Sequence, residues 1–111
     1  MGDLGQLREV FGQSWDWSTG GEEWSTWWGG TPALWYAAIL PRIHAFVPAG
    51  TILEIAPGYG RITAYLKDLA DRLILVDLAD TCIDACRKRF AGWAAKHSPG
   101  ALGPGFDSTA I

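Results

Sequence analysis

Cysteine and histidine are scarce in this chain of 111 residues, which has two of each. Cys82 and Cys86 lie four residues apart on one face of a predicted helix, where a disulfide is geometrically poor. No histidine lies close enough in the sequence to complete a zinc-binding set, so no metal site is expected. Both cysteines are therefore predicted to be buried free thiols.

The chain also has few basic residues and no long apolar run. Nine Lys and Arg residues against twelve Asp and Glu residues give a formal net charge of −3 and a pI near 5.2. This balance argues against a nucleic-acid footprint, so no nucleic-acid partner is expected. No apolar run approaches the roughly 18–20 residues of a membrane span, and no signal-peptide pattern opens the chain. The prediction is a cytoplasmic protein with no membrane partner; the oligomeric state is unknown.

Residues 51–66 are the most informative segment. A short apolar run at 52–55 is followed by a turn that contains Gly58 and Gly60, and then by a helical pattern. A strand, a glycine turn and a helix in this order let the backbone approach a ligand closely at the carboxyl end of a buried strand. Glycine suits such a turn because it has no Cβ and adopts positive φ angles easily.

A second apolar run, Leu73–Val76, ends in Asp77, seventeen residues after Gly60. In nucleotide-binding sheets the acid at the tip of the second strand accepts hydrogen bonds from ribose hydroxyls. Both runs are apolar at nearly every residue, as parallel strands covered on two faces tend to be. The two signals predict an α/β fold with a parallel βαβ unit that binds an adenosine-containing cofactor.

The glycine pattern matches a dinucleotide site only weakly. The fingerprint of such sites, G-x-G-x-x-G/A, would need a small residue where this chain has Thr63. Glu54 lies inside the first strand, where a carboxylate is costly to bury without a partner. An oxidoreductase fragment that binds NAD is an alternative, but Thr63 and Glu54 both argue against it.

The segment Glu54-Ile-Ala-Pro-Gly-Tyr-Gly60 resembles the first motif of the class I S-adenosylmethionine-dependent methyltransferases. That motif has an acidic residue, three residues that are often small or apolar, and then Gly-x-Gly. Residues 75–90 similarly resemble the second strand of that family and the helix after it, and the resemblance covers roughly residues 29–90. It implies a Rossmann-like sheet, S-adenosylmethionine as cofactor, and methyl transfer; a small-molecule acceptor is expected.

The resemblance also assigns roles to residues. Glu54 would orient the turn or contact the amino group of the cofactor, Gly58 and Gly60 would admit its methionine end, and Asp77 would hold the ribose. Many family members have glycine at the position of Ala56, and alanine is tolerated there if the backbone stays in an ordinary region. The predicted cofactor-binding residues, with Tyr59 added because it lies between the glycines, are Glu54, Ala56, Gly58, Tyr59, Gly60 and Asp77. No catalytic residue is identified.

Three segments are expected along the chain. Residues 1–48 form an N-terminal helical, tryptophan-rich lid or cap, residues 49–91 form the cofactor-binding βαβ unit, and residues 92–111 form a flexible Gly/Pro-rich tail. The third and fourth strands of the family are not recognisable after Phe90, so the fold looks incomplete. A non-catalytic remnant or interaction module that keeps the βαβ unit is therefore a further alternative.

Five of the seven tryptophans fall within residues 15–28. One interpretation is that this segment folds over the glycine turn as a lid; the other is that the tryptophans cover a sheet edge or pack as core. A short helix capped by Asp3 is expected before them. A second helix is expected to begin at Thr31 and to be interrupted by Pro41 near Ala37.

Overall fold

The computed structural model of the chain describes residues 3–97 and 106–110. In chain order the helices and strands are α1 (Leu4–Glu9), α2 (Thr31–Leu34), α3 (Leu40–Ile43), β1 (Ala49–Ile55), α4 (Thr63–Leu66), β2 (Ala70–Asp77), α5 (Asp80–Arg89), α6 (Ala91–His97) and β3 (Phe106–Ala110). Shorter helical turns join several of them, of the π type at Val10–Ser14 and Trp35–Ile39 and of the 3₁₀ type at Glu22–Trp28, His44–Phe46 and Lys67–Leu69.

The three strands form one parallel sheet in the order β1-β2-β3. Strand β1 pairs with β2 in a register that sets Leu53 beside Ile74, and α4 with its 3₁₀ turn makes the crossover between them. All three strands run the same way, so the carboxyl ends of β1 and β2 meet at one edge of the sheet. The predicted α/β class, with a Rossmann-like βαβ unit after an aromatic-rich helical segment, is confirmed.

The core lies around the central strand. Leu73 and Leu75 of β2 are fully buried, and α5 packs on them through Ile83, Cys86 and Phe90. Burying a side chain of this size is worth about 1.5–3 kcal/mol. This contact fixes where α5 begins, directly after the tip of β2.

Strand β1 is covered less completely than its sequence predicts. Leu53 is 57% exposed and Ile55 71% exposed, whereas Ile52 packs against the core. Full burial on two faces, which we expected from the apolar run, is therefore wrong for β1. In the described residues β1 has a strand neighbour on one side only, and side chains of alternate residues point to opposite faces of a sheet.

The helices before the sheet follow the local signals of the sequence. The Asp3 carboxylate accepts a hydrogen bond from the Gln6 backbone N–H at 2.8 Å, which caps α1 as expected. The π turn at Trp35–Ile39 interrupts the second helix before Pro41, which confirms the predicted break. None of the helices in residues 3–97 is long and apolar enough to cross a bilayer.

The predicted tail differs from the structure. Residues 91–97 form helix α6, and residues 106–110 form strand β3, which pairs with β2 in parallel. A flexible tail over the whole of 92–111 is therefore wrong; the part at 98–105 lies outside the described residues. A short strand of ordinary composition gives little sequence signal, because pairing with β2 rather than local propensity stabilises it.

Candidate functional site

The turn after β1 brings Ala56 and Gly58 close to the tip of β2. The Ala56 backbone N–H donates to the Val76 carbonyl at 2.7 Å, and the Gly60 N–H closes the turn on the Pro57 carbonyl at 2.9 Å. Ala56 has φ = +60° and Gly58 has φ = +59°. Alanine was expected to be tolerated if the backbone there stayed in an ordinary region, and this condition is not met: an L-residue with a Cβ occupies the left-handed region, at a cost of about 1–2 kcal/mol.

The Asp77 carboxylate binds this turn on one side and the residue that precedes α5 on the other. One oxygen accepts the Gly58 backbone N–H at 3.1 Å, and the other accepts the Ala79 N–H at 2.9 Å, at the start of α5. The side chain is 8% exposed, so its charge is compensated mainly by these two donors. Asp77 therefore joins the glycine turn to the first turn of α5.

Glu54 has its partner on the other side of the turn. The hydroxyl of Thr63, a fully buried residue in α4, donates to the Glu54 carboxylate. Burial raises the pKa of Glu54 above its ordinary value of 4.5, while the Thr63 hydrogen bond and the charge of Arg61 oppose that rise. Thr63, which breaks the dinucleotide fingerprint, thus supplies the partner that a carboxylate inside a strand requires.

Gly60 has a packing role in this structure. A Cβ on Gly60 would lie 3.4 Å from Sγ of Cys86 on α5 and 2.6 Å from Cε2 of Phe90, the residue directly after that helix. Gly60 also has φ = +89°. We expected the missing side chain to leave room for the methionine end of a cofactor; the structure places the ring of Phe90 there instead.

The tryptophan-rich segment lies against the glycine turn. The rings of Phe11, Trp15, Trp17 and Trp24, which we call the aromatic wall, contact one another, with Trp15 and Trp24 stacked at 5.0 Å between centroids. Trp17 also stacks on Tyr59 at 4.5 Å with an interplanar angle of 3°. Its ring passes 3.0 Å from the position that a Gly58 Cβ would take.

A cavity of about 380 Å³ lies between the aromatic wall and the end of the sheet. Besides the wall and Leu7, its lining consists of Ala56, Gly58, Asp77, Leu78 and Cys82. Ligand pockets usually measure about 300–1,000 Å³ and combine an apolar lining with a few polar groups. Asp77 is the one charged side chain that lines this cavity within the described part of the chain, so the site favours a ligand that presents hydroxyl groups to Asp77 and a flat apolar surface to the aromatic wall.

Arg61 connects the glycine turn to the aromatic wall. Its guanidinium donates to the Ser25 hydroxyl at 2.6 Å and lies 5.9 Å from the ring centroid of Trp24. Ser25 is fully buried and accepts a second hydrogen bond, at 2.7 Å, from Thr31. A charged donor and a cation–π contact therefore fix the position of the tryptophan-rich segment over the turn.

Both cysteines are buried free thiols, as predicted. Burial raises the pKa of Cys82 and of Cys86 to about 12, so neither forms a thiolate near neutral pH. The Cys86 thiol lies 3.2 Å from the Gly58 carbonyl oxygen, and Cys82 lines the cavity. Cys86 therefore packs against the glycine turn, and Cys82 lines the cavity, as protonated thiols.

The structure brings together only part of the predicted cofactor set. Ala56, Gly58 and Asp77 line the cavity, whereas Tyr59 stacks on Trp17. Glu54 is engaged with Thr63, and Gly60 with Phe90. Sequence reasoning did not identify Leu78 or Phe11 as lining residues, and it offered the tryptophan-rich segment as a lid over the turn in only one of two interpretations, without saying which rings line the cavity.

Two curated proteins are similar to this chain in sequence. One is the "Ribosomal RNA small subunit methyltransferase A" of Geobacter sulfurreducens, 45% identical over 58 residues, which cover 50% of this chain and 21% of that protein. The other, of the same name, is from Dehalococcoides mccartyi and is 39% identical over 46 residues, 41% of this chain and 16% of that protein. The aligned part thus spans about a fifth of the first relative and about a sixth of the second. No protein-family model and no solved structure matches the chain.

These relatives contradict one prediction. We expected a small-molecule acceptor and no nucleic-acid partner, but the names of both relatives specify ribosomal RNA. Net charge misled the prediction because it sums over the whole chain, whereas a nucleic-acid footprint is a local cluster of basic residues. The resemblance itself is confirmed: over about half its length, this chain is similar to bacterial methyltransferases, and it carries the Rossmann-like βαβ unit that the resemblance implied.

Proposed function

We propose that this chain carries the cofactor-binding part of an S-adenosylmethionine-dependent methyltransferase that acts on RNA. The observation that carries the proposal is the cavity at the carboxyl ends of β1 and β2, which the glycine turn and Asp77 line together. In open α/β sheets, ligands bind in the crevice outside the carboxyl ends of the strands. The similarity to two methyltransferases supports the same cofactor class.

The residues present fit such a cofactor at its ribose. A carboxylate has about four lone-pair sites, and the backbone N–H groups of Gly58 and Ala79 use two of those on Asp77. Two acceptor sites therefore remain for the two hydroxyls of a ribose in the cavity. The two backbone donors also fix the orientation of the carboxylate before the ligand binds, which lowers the entropy cost of binding.

Glu54 fits the role of orienting the turn. Its hydrogen bond with Thr63 joins β1 to α4 across the glycine turn. Glu54 thus links the two ends of the turn, and Asp77 links the turn to the start of α5. The second role that the resemblance implied, contact with the amino group of the cofactor, has less support because Thr63 already occupies one carboxylate oxygen.

S-Adenosylmethionine, when bound, supplies a methyl group on a positively charged sulfur that a nitrogen or oxygen nucleophile attacks in line. The protein contributes mainly proximity and orientation to such a transfer, which together account for much of the rate. Asp77, whose carboxylate the Gly58 N–H orients, would hold the ribose end of the ligand. A compact set of binding residues is therefore sufficient for this part of the reaction.

RNA as the acceptor is supported by the basic end of α5. Arg87, Lys88 and Arg89 form the last turn of that helix and are exposed. Arg89 donates to the Tyr59 carbonyl oxygen at 3.0 Å, so this cluster lies beside the glycine turn. Phosphate groups of a bound RNA would find positive charge close to the site of transfer.

The cofactor assignment is tested with Asp77→Ala and calorimetric titration of S-adenosylhomocysteine, the product form of the cofactor. Loss of hydrogen bonds to a charged group costs about 1.5–3 kcal/mol, which corresponds to an affinity about 10- to 150-fold lower. Asp84→Ala is the matched control, because Asp84 is an exposed acid on α5. An unchanged affinity in a folded Asp77→Ala chain would remove Asp77 from the ribose site.

The acceptor class is tested by RNA binding as a function of salt. Lys88→Glu should weaken binding of a single-stranded RNA and reduce the slope of log K against log salt by about 1. Lys67→Glu is the control, because Lys67 pairs with Asp68 just before β2, at the opposite end of that strand from Asp77. Equal effects of the two substitutions would contradict an RNA surface at the end of α5.

A further inference from the structure

We propose that the aromatic wall of Phe11, Trp15, Trp17 and Trp24 binds the adenine ring of the nucleoside cofactor. The N-terminal segment, rather than the residues that follow β2, would then supply the stacking surface for the base. This inference rests on the proposed function, and it adds to it the residues that recognise the base.

The size of the cavity suits a single nucleoside. Its volume of about 380 Å³ lies near the lower end of the range for ligand pockets, so it has room for one nucleoside-containing ligand. Asp77 and the rings of the wall line the same space. A ribose held by Asp77 therefore places its base in contact with the remaining lining, most of which is aromatic or aliphatic.

The chemistry of the lining suits a flat aromatic base. An adenine ring presents two flat faces that stack on aromatic side chains, and such stacking is worth about 1–3 kcal/mol per base. Apart from Asp77, the lining of the cavity is aromatic, aliphatic or otherwise apolar, so it offers the faces of an adenine ring stacking and apolar contacts.

Hydrogen bonds and a cation–π contact hold the aromatic wall in place before a ligand binds. The Trp17 indole N–H donates to the Phe11 carbonyl oxygen at 2.7 Å, and the Trp15 indole N–H donates to Glu23 at 3.3 Å. Arg61 holds Trp24 through the cation–π contact described above. Rings that are already held in place lose little side-chain entropy when a ligand binds, so more of the stacking energy is available for affinity.

The test compares two ligands that differ only in the base. S-Adenosylhomocysteine carries adenine, and S-ribosylhomocysteine has the same ribose and homocysteine without it. In the 111-residue chain, Trp15→Ala should lower the affinity for S-adenosylhomocysteine about 5- to 150-fold and change that for S-ribosylhomocysteine by less than about 2-fold. Trp27→Ala is the matched control, because Trp27 belongs to the same segment and is 96% exposed; it should change neither affinity.

The outcomes separate this inference from the proposed function. If Trp15→Ala weakens both ligands equally, Trp15 acts through the fold and the inference is wrong; it is equally wrong if neither affinity changes. A folded wild-type chain that binds no S-adenosylhomocysteine overturns the proposed function itself, and the inference with it.

A second variant serves if Trp15→Ala does not fold. Trp15→Phe keeps a ring in the wall, and a stacked base quenches indole fluorescence. Quenching by saturating S-adenosylhomocysteine should be smaller in Trp15→Phe than in the wild type, and S-ribosylhomocysteine should quench neither chain. Equal quenching of both chains by S-adenosylhomocysteine would overturn the assignment of Trp15.

Discussion

Gly60→Ala tests the packing of the glycine turn against α5. The added Cβ would lie 2.6 Å from Cε2 and 2.8 Å from Cζ of Phe90, and Phe90 is buried in the core with 3% exposure, so its ring cannot move aside cheaply. Overpacking of this kind costs about 1–3 kcal/mol. The φ angle of +89° adds about 1–2 kcal/mol for a residue with a side chain. The expected loss of unfolding free energy is about 2–5 kcal/mol, a large part of the roughly 5–15 kcal/mol of a typical domain.

Gly20→Ala is the control for this prediction, measured in the same urea-unfolding series. Gly20 has φ = +64° and no atom within 4 Å of its would-be Cβ, so the variant carries the backbone cost alone. The difference between the two variants isolates the clash with Phe90, at about 1–3 kcal/mol. In a Phe90→Leu background that difference should shrink. The reasoning is refuted if Gly60→Ala is no less stable than Gly20→Ala.

Three further predictions concern the site. Ala56→Gly should raise the unfolding free energy by up to about 1 kcal/mol because glycine adopts a positive φ without strain. The control, Ala85→Gly in α5, should lower the unfolding free energy by about 1 kcal/mol. A lower unfolding free energy for both variants, measured in urea, would contradict the strain at Ala56. Burial raises the pKa of Glu54 above 4.5. The protonated Glu54 side chain therefore contributes fully to stability below about pH 4.5, and this contribution is lost as the pH rises through the raised pKa. Glu54→Gln should therefore be more stable than the wild type at neutral pH, and thermal unfolding at a series of pH values should show the gain vanish towards pH 4.5. With thiol pKa values of about 12, Cys82 and Cys86 should react with iodoacetamide at pH 8 on the order of 10³-fold more slowly in the folded chain than in urea; rapid alkylation without urea would refute their burial.

The sequence was sufficient for the centre of the fold because its signals there are local. The apolar runs that became β1 and β2, the glycines between them and the acid at the tip of β2 are contiguous patterns with a direct physical meaning. Their spacing predicts a parallel βαβ unit with Asp77 beside the glycine turn, and the hydrogen bond from the Gly58 N–H to Asp77 shows that contact. The cap at Asp3 and the break before Pro41 follow from equally local rules.

What the sequence did not predict depends on contacts between distant residues. Strand β3 is stabilised by its pairing with β2, about thirty residues earlier, so its short sequence carries little signal. The role of Gly60 depends on Phe90, and the positive φ of Ala56 depends on how the turn closes under Asp77. Tryptophan density suggested a lid, but the rings that line the cavity could be identified only once the segment was placed against the turn.

The central claim is that the cavity at the end of β1 and β2 binds S-adenosylmethionine. Calorimetric titration of the wild-type chain with S-adenosylhomocysteine, and with NAD as the control, tests it most directly. We expect saturable binding of S-adenosylhomocysteine and no heat from NAD, because Thr63 stands where the dinucleotide fingerprint requires glycine or alanine. A folded chain that binds neither ligand, or that binds NAD at least as tightly, would contradict the account.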